Sequence, residues 1–171
     1  MPGRRAKPAT AAHLERVAVA YLERFGGTAD RVRRVLEKRA ARSVEELGTD
    51  PAEAARAIDA VIEKLARLGF LDDARFIAGR VRALRRRGKS ARAVRATLVA
   101  QGLDAELVER ALSDDPSDDL DAARALVRRR RLGHYRPAEE REAQRERDLA
   151  RLARAGFSYD VALRALDADD E

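Results

Sequence analysis

The chain contains no cysteine and no tryptophan, and aromatic residues make up only 4% of its 171 residues. Without cysteine it can form neither a disulfide nor a zinc–thiolate site. The sequence also lacks an apolar run long enough to span a membrane, and it lacks the pattern of a signal peptide. We therefore expect a soluble, cytoplasmic protein.

Glycine and proline are also scarce, with 10 and 5 residues respectively. Alanine, leucine, arginine and glutamate dominate instead, and these residues favour helices. A chain of this length can bury roughly 70% of its extended surface, as one domain or as several small ones. The composition predicts an all-α fold.

The charge balance is basic, with a formal net charge of +6 and a pI near 10.2. This balance favours an acidic partner, which could be nucleic acid, an acidic protein groove or an anionic membrane. Only four of the 36 basic residues are lysines. Because this arginine usage suggests a GC-rich genome, the distribution of the arginines is more informative than their number.

Residues 74–103 contain no acidic residue, although acids and bases nearly balance elsewhere. An acid-free basic segment of this length indicates a surface for a polyanion. The candidate binding residues in this segment are Arg75, Arg82, Arg85, Arg86, Arg87, Lys89, Arg92 and Arg95.

Three of these arginines, Arg75, Arg82 and Arg86, fall on one side of a predicted helix, within about 40° of each other. Arg85 borders this stripe, and apolar residues occupy another side. The alternative is a solvated arginine face, but such faces usually include glutamates at i±4 and this one has none. Contact with a polyanion or an acidic partner is therefore favoured.

Capping residues and glycines divide the chain into nine predicted helices. The helical pattern of the second helix weakens over residues 39–43, and residues 132–137 are predicted to form a loop. The first helix is predicted after Thr10. The predicted caps are Thr28, Asp50, Asp72 or Asp73, Ser90, Asp104 and Ser158, and the predicted stops are Gly26 with Gly27, Gly69, Gly88, Gly102 and Gly156.

The helical pattern repeats. A shift of 62 positions superposes Leu14 on Phe76, Gly26 on Gly88, Thr28 on Ser90 and Leu36 on Leu98, and a shift of 54 superposes Gly102 on Gly156 and Leu112 on Leu166. The pattern therefore predicts three tandem three-helix repeats that form an elongated, curved array. The predicted segments are a disordered basic tail (1–9), repeat 1 (10–70), a basic repeat 2 (71–113), a flexible acidic linker (114–119), repeat 3 (120–167) and an acidic tail (168–171).

Catalytic and metal-binding motifs have simpler interpretations. The Gly88-Lys89-Ser90 sequence lacks the earlier glycine and the strand of a phosphate-binding loop. Asp72 and Asp73 precede a helix, where acids act as caps. The two histidines, His13 and His134, are far apart in the chain, have no ligand spacing and are expected at the surface. We expect no enzyme activity, no metal and no cofactor.

The helices around Gly102 are similar to a helix-turn-helix, whose second helix would enter the major groove of DNA. That helix carries Asp104, Glu106 and Glu109, and its only base is Arg110. An acidic helix suits a DNA groove badly, so a structural helix hairpin is the better interpretation.

Three sequences carry a resemblance to a known family: GFLDDARFIA at residues 69–78 with the basic run that follows it to Gly88, residues 94–102 with Leu98, and LARAGF at residues 152–157. Through them, residues 11–166 resemble the RecX family of regulators of the RecA recombinase. Asp148 departs from the pattern because it stands where an apolar residue is expected, and residues 141–147 are unusually charged.

The resemblance implies three tandem three-helix repeats without catalytic chemistry. It also implies a monomer that binds along the groove of the RecA–single-stranded-DNA filament, inhibiting ATP hydrolysis, strand exchange and co-protease activity. On its own, such a protein should bind single-stranded DNA weakly and in a salt-sensitive manner, and it should not bind membranes. The alternative is a helical DNA-binding protein that acts alone, of the transcription-regulator type.

Overall fold

The computed structural model describes residues 6–167. This part of the chain contains nine α-helices, one short 3₁₀ helix at Gly133–Tyr135 and no strand, which confirms the all-α prediction. In chain order the α-helices are α1 (Ala11–Phe25), α2 (Ala29–Leu47), α3 (Pro51–Arg67), α4 (Asp73–Arg86), α5 (Ala91–Ala100), α6 (Ala105–Ser113), α7 (Asp119–Arg130), α8 (Ala138–Arg154) and α9 (Tyr159–Asp167).

Local capping explains where most helices begin. The side chains of Thr28, Asp50, Ser90, Asp104 and Ser158 each accept a hydrogen bond from a backbone N–H in the first turn of the following helix, as predicted. Thr10, which was not predicted as a cap, accepts from the N–H of His13 in the same way. For α4 the cap is Asp72, which accepts from the N–H of Arg75 at 2.9 Å. Asp73 instead accepts from the N–H of Ala29 at 2.8 Å, and so it stabilises the start of α2.

One helix boundary differs from the prediction, and one helix cap was not predicted. α2 does not fade over residues 39–43 but continues to Leu47, because Ala40 and Ser43 are buried and hold its last turns against the core. α7 begins with a capping box that the sequence analysis missed, in which Asp118 and Asp121 bond reciprocally to each other's backbone N–H groups.

The chain divides into two compact units, Met1–Phe76 and Ile77–Glu171, and the division falls within α4. In the first unit, α1, α2 and α3 pack around an aliphatic core that includes Leu14, Val32, Leu36, Ile58 and Leu65. Each of these side chains is at least 96% buried, and each contributes about 1.5–3 kcal/mol through burial.

Part of the predicted N-terminal tail, residues 6–9, belongs to the described structure and contacts the first unit. Ala9 is buried in the first core, and its N–H donates to the hydroxyl of Ser43 at 3.0 Å. That hydroxyl also lies 2.7 Å from the hydroxyl of Thr49. The buried hydroxyl of Ser43 therefore ties the N-terminal segment to the end of α2. The rest of the predicted tail, residues 1–5, and the predicted acidic tail, 168–171, lie outside the described residues.

The second unit combines the end of α4 with α5–α9. Five side chains of α4, α5 and α6 are fully buried: Ile77, Val81, Val94, Leu98 and Val108. A second cluster in α7–α9 and the loops between them includes Val127, Leu132, Leu152, Phe157 and Leu166. None of the helices in the part of the chain that the structure describes is both long and apolar enough to cross a membrane.

Glycines allow two close approaches within the second unit. Gly88 has a φ of +74°, and a Cβ there would lie 2.5 Å from the Cβ of Leu126 and 2.9 Å from its backbone. A Cβ on Gly156 would lie 2.2 Å from the hydroxyl of Ser90. The turn before α5 therefore packs directly onto α7 and onto the turn after α8.

Candidate nucleic-acid interface

The turn between α4 and α5 presents the centre of the basic segment. The chain leaves α4 through Gly88, whose N–H donates to the carbonyl of Arg85 at 2.7 Å, and it enters α5 after Ser90. Because Gly88 faces Leu126, the side chains of Arg87 and Lys89 on either side of it are exposed.

Most of the candidate residues are available to a ligand. Five of them are exposed and form no ion pair with any of residues 6–167: Arg82, Arg86, Arg87, Lys89 and Arg92. We call these five residues the α4–α5 surface. Arg75 is also exposed, but the α4–α5 surface does not include it because it lies in the first unit.

Arg85 differs from the other candidates because its side chain is only 4% exposed. Its guanidinium forms an ion pair with Asp119, donates to the carbonyls of Ser117 at 2.8 Å and Lys89 at 3.2 Å, and lies 3.8 Å from a carboxylate oxygen of Asp115. The basic segment suggested that Arg85 contacts a ligand, but its charge is satisfied inside the protein.

These contacts also change the interpretation of the acidic segment 114–119. It was expected to be a flexible linker, yet Arg85 bonds to it at several points. Asp119 additionally accepts from the N–H of Ala91 at 2.9 Å, which is the first residue of α5. The segment thus connects α4, α5 and α7 through one buried cation.

Arg95 is exposed but already paired. Its guanidinium donates to both carboxylate oxygens of Glu109, at 2.6 and 2.8 Å. The hydrogen bond from Arg95 lowers the pKa of Glu109, so the pair stays charged at neutral pH. Arg95 therefore offers a ligand less charge than the unpaired residues of the α4–α5 surface.

A cleft of about 610 Å³ extends the basic region into the third predicted repeat. No acidic residue among residues 6–167 lines it, and its apolar lining comes from Leu126, Leu132 and Ala155. We call it the basic cleft, and its seven basic lining residues are Arg87, Lys89, Arg129, Arg130, Arg136, Arg151 and Arg154.

Asp148 organises one side of this cleft. Its side chain is 1% exposed and accepts two hydrogen bonds from Arg136, at 2.8 and 2.9 Å, one from Arg151 at 2.9 Å, and one from the N–H of Gly133 at 3.1 Å. Burial would raise the pKa of Asp148, but these bonds and the two positive charges outweigh it and lower the pKa. The residue that departed from the apolar pattern is thus a buried anchor for two arginines.

Five cationic residues of the cleft remain without an acidic partner among the described residues: Arg87, Lys89, Arg129, Arg130 and Arg154. Arginines in the last turn of a helix also stabilise the helix dipole, which is worth about 0.3–1 kcal/mol each. Stabilisation of a helix dipole does not require the ends of different helices to lie close together. Here, however, basic residues at or just after the ends of α4, α7 and α8 line the same cleft. Planar guanidinium groups in such a cleft are well suited to bidentate binding of phosphate.

The sequence analysis missed the part of the cleft that comes from α7, α8 and the loop between them. The run of arginines at residues 128–131 was the one available signal, since it also lacks acids. Arg136, Arg151 and Arg154 are separated in sequence and interspersed with acids, so only the fold brings them together.

The remaining aspartates and histidines considered in the sequence make structural contacts or belong to no metal-binding group. Asp72 and Asp73 bond to helix N-termini. His13 and His134 are half-buried rather than fully exposed, and Nδ1 of His134 lies 3.3 Å from the carbonyl oxygen of Leu166. Among the described residues, no group of three or more His, Cys, Asp or Glu could hold a metal ion.

Comparisons with known proteins show which family this chain is similar to. Residues 72–112, which contain α4, α5 and most of α6, match the family described as RecX, second three-helix domain. A regulatory protein RecX from Myxococcus xanthus is 36% identical over 169 residues, covering 97% of this chain and 90% of the relative. Another, from Stenotrophomonas maltophilia, is 39% identical over 116 residues, covering 67% of this chain and 69% of the relative.

The similarity to the Myxococcus xanthus relative extends through both units, and residues 72–112, which match the family model, carry the α4–α5 surface. The chain belongs to the RecX family of regulatory proteins.

Proposed function

We propose that this protein binds the RecA–single-stranded-DNA filament along its groove and inhibits ATP hydrolysis, strand exchange and co-protease activity. The observation that carries the proposal is the basic cleft together with the adjoining α4–α5 surface, because they form one cationic region through Arg87 and Lys89. The groove of such a filament exposes DNA phosphates and acidic protein side chains, which this region complements.

Inhibition by this route needs no active site. A bound protein that contacts neighbouring recombinase subunits favours the filament state in which those subunits are held together. Several weak ionic contacts made at once add up, because each contact raises the effective concentration for the next. Regulation therefore follows from binding alone, and one copy of the chain is sufficient for it.

This role would place the protein in homologous recombination, DNA repair and the SOS response, in the cytoplasm where the recombinase and its DNA are found. Membership of the RecX family supports the regulator role, and the unpaired cations of the second unit support a phosphate-bearing partner. On its own, the protein should bind single-stranded DNA weakly, because its contacts are ionic and exposed.

The alternative, a DNA-binding protein that acts alone through a helix-turn-helix, gains no support from α5 and α6. The second helix of that pair, α6, exposes Glu106 and Glu109, and its cap Asp104 is exposed as well. Glu109 forms an ion pair with Arg95 of α5. An acidic recognition helix would be repelled by the phosphates that line a major groove.

The test is the rate of single-stranded-DNA-dependent ATP hydrolysis by the cognate recombinase, measured with and without this protein. We expect the protein to slow hydrolysis at substoichiometric concentration, since one bound copy affects several subunits. Unchanged hydrolysis at a stoichiometric excess over the recombinase would refute the proposal.

A further inference from the structure

The first unit contains a second basic groove, between α1 and α2, that the sequence analysis did not identify. It has a volume of about 470 Å³, and none of its lining residues within the described part of the chain is acidic. Its basic lining residues are Lys7, Arg16, Arg24, Arg39 and Arg42, and Val17, Ala20 and Val35 form its apolar part. His13 also lines it, and burial together with the charges of Lys7, Arg16 and Arg39 lowers the pKa of this histidine.

Two aromatic rings distinguish this groove from the basic cleft of the second unit. Tyr21 and Phe25 both line it, and their ring centroids lie 5.1 Å apart. Phe25 is 61% exposed, although it stands at the end of a helix whose other large apolar side chains face the core or are half-buried. The hydroxyl of Tyr21 accepts from Nε of Arg31 at 2.9 Å, which holds that ring in place.

A cation also accompanies the exposed ring. The guanidinium carbon of Arg24 lies 5.2 Å from the ring centroid of Phe25. Cations and flat rings that alternate along an open groove are the combination that binds single-stranded nucleic acid, because the cations contact the backbone while the rings stack on bases. A purely ionic site for an acidic protein segment would gain little from an exposed phenylalanine.

We propose that this groove is a base-stacking subsite for single-stranded nucleic acid, in which Phe25 and Tyr21 stack on bases and Arg16, Arg24 and Arg39 contact phosphates. The inference rests on the proposed function, because it identifies which chemical part of the filament the first unit would contact. It adds that the first unit contacts bases, whereas the basic cleft offers contacts to phosphates alone. Since every base has a flat π-face, the subsite accepts any sequence.

The experiment uses fluorescence anisotropy of two labelled oligonucleotides of equal length, an oligothymidylate and a fully abasic strand, with the protein alone. We expect wild type to bind the oligothymidylate more tightly than the abasic strand. Phe25→Ala should weaken oligothymidylate binding roughly 5- to 150-fold, which is the range for the loss of one stacked base, and should leave abasic binding unchanged. Phe25→Trp should retain the preference, since it restores a π-face.

The matched control is Phe70→Ala, because Phe70 is 57% exposed in the same unit but does not line the groove. It should leave both affinities within about twofold of wild type, as expected for an exposed side chain without a ligand contact. Tyrosine emission gives a second readout. Oligothymidylate should quench it in wild type and quench it less in Tyr21→Phe.

Equal affinity of wild type for the two strands, or an equal loss on both strands in Phe25→Ala, would overturn the inference and identify the groove as a general anion site. If polyglutamate competes with the oligothymidylate as strongly for Phe25→Ala as for wild type, the ligand of the groove is an acidic protein segment instead. Because no recombinase is present, these outcomes are independent of inhibition of ATP hydrolysis, which tests the proposed function.

Discussion

Arg85 and Asp119 form an ion pair inside the second unit, although the guanidinium of Arg85 belongs to the most basic segment of the chain. The same guanidinium donates to the carbonyl of Ser117 and lies close to Asp115. A residue that looks like part of a binding surface in the sequence therefore holds three helices together.

Replacing Arg85 should destabilise the fold. In Arg85→Ala, the largely buried carboxylate of Asp115 and the partly buried carboxylate of Asp119 lose their cation, which should cost on the order of 3 kcal/mol. Urea denaturation followed by circular dichroism measures this cost. The matched control is Arg82→Ala, an exposed and unpaired position on the same helix, which should change stability by less than about 0.5 kcal/mol. Equal stability of the two variants would contradict the structural role of Arg85.

Gly88→Ala should be more damaging than an ordinary glycine substitution. The new Cβ would collide with the backbone and side chain of Leu126, in addition to the strain of a positive φ. Gly69 is the control, because its φ is +76° and nothing lies within 4 Å of a Cβ there. Gly88→Ala should cost about 1–3 kcal/mol beyond Gly69→Ala in thermal or urea unfolding. A similar cost at both positions would show that α7 does not depend on this close approach.

The helices and their caps could be predicted because they depend on neighbouring residues. Thr28, Ser90 and Asp104 each bond to a backbone group three residues away, and such spacings are visible in the sequence. The roles of Arg85 and Asp148 could not be predicted, because their partners are up to 34 residues away and only the packing of helices brings them together. The sequence therefore indicated the α4–α5 surface but not the cleft beside it.

Asp148 should make stability depend on pH in the acid range. Its pKa is lowered in the folded protein, so its stabilising bonds to Arg136 and Arg151 are fully present above the unfolded-state pKa of about 3.9 and are lost as the pH falls below it. At pH 7 Asp148→Asn should be less stable than wild type by about 3 kcal/mol. The difference should shrink when unfolding is measured at progressively lower pH below about 4. A difference that stays constant down to pH 2 would contradict this role.

The basic cleft should contribute to the salt dependence of DNA binding. Each phosphate contact on a single strand adds a slope of about −0.7 to log K plotted against log salt concentration. Arg129→Gln with Arg130→Gln removes two exposed, unpaired cations of the cleft. The slope should become less steep by up to about 1.4 in titrations of a labelled single strand. Arg110→Gln with Arg124→Gln, which removes two exposed cations outside the cleft, should leave the slope unchanged. Equal changes in both variants would remove the cleft from the proposed binding site.

The most direct test of the account replaces Arg82 and Arg86 by glutamate and measures inhibition of recombinase ATP hydrolysis on single-stranded DNA. Both side chains are exposed and unpaired, and glutamate favours helices, so circular dichroism should show an intact fold. Each lost ionic contact is worth about 1.5–3 kcal/mol, so the inhibitory concentration should rise at least about tenfold. The control Lys38→Glu with Arg56→Glu makes the same charge change at exposed positions of the first unit, outside its groove, and should inhibit like wild type. Undiminished inhibition by the folded Arg82/Arg86 variant, or equal loss in the control, would contradict the α4–α5 surface as the contact with the filament.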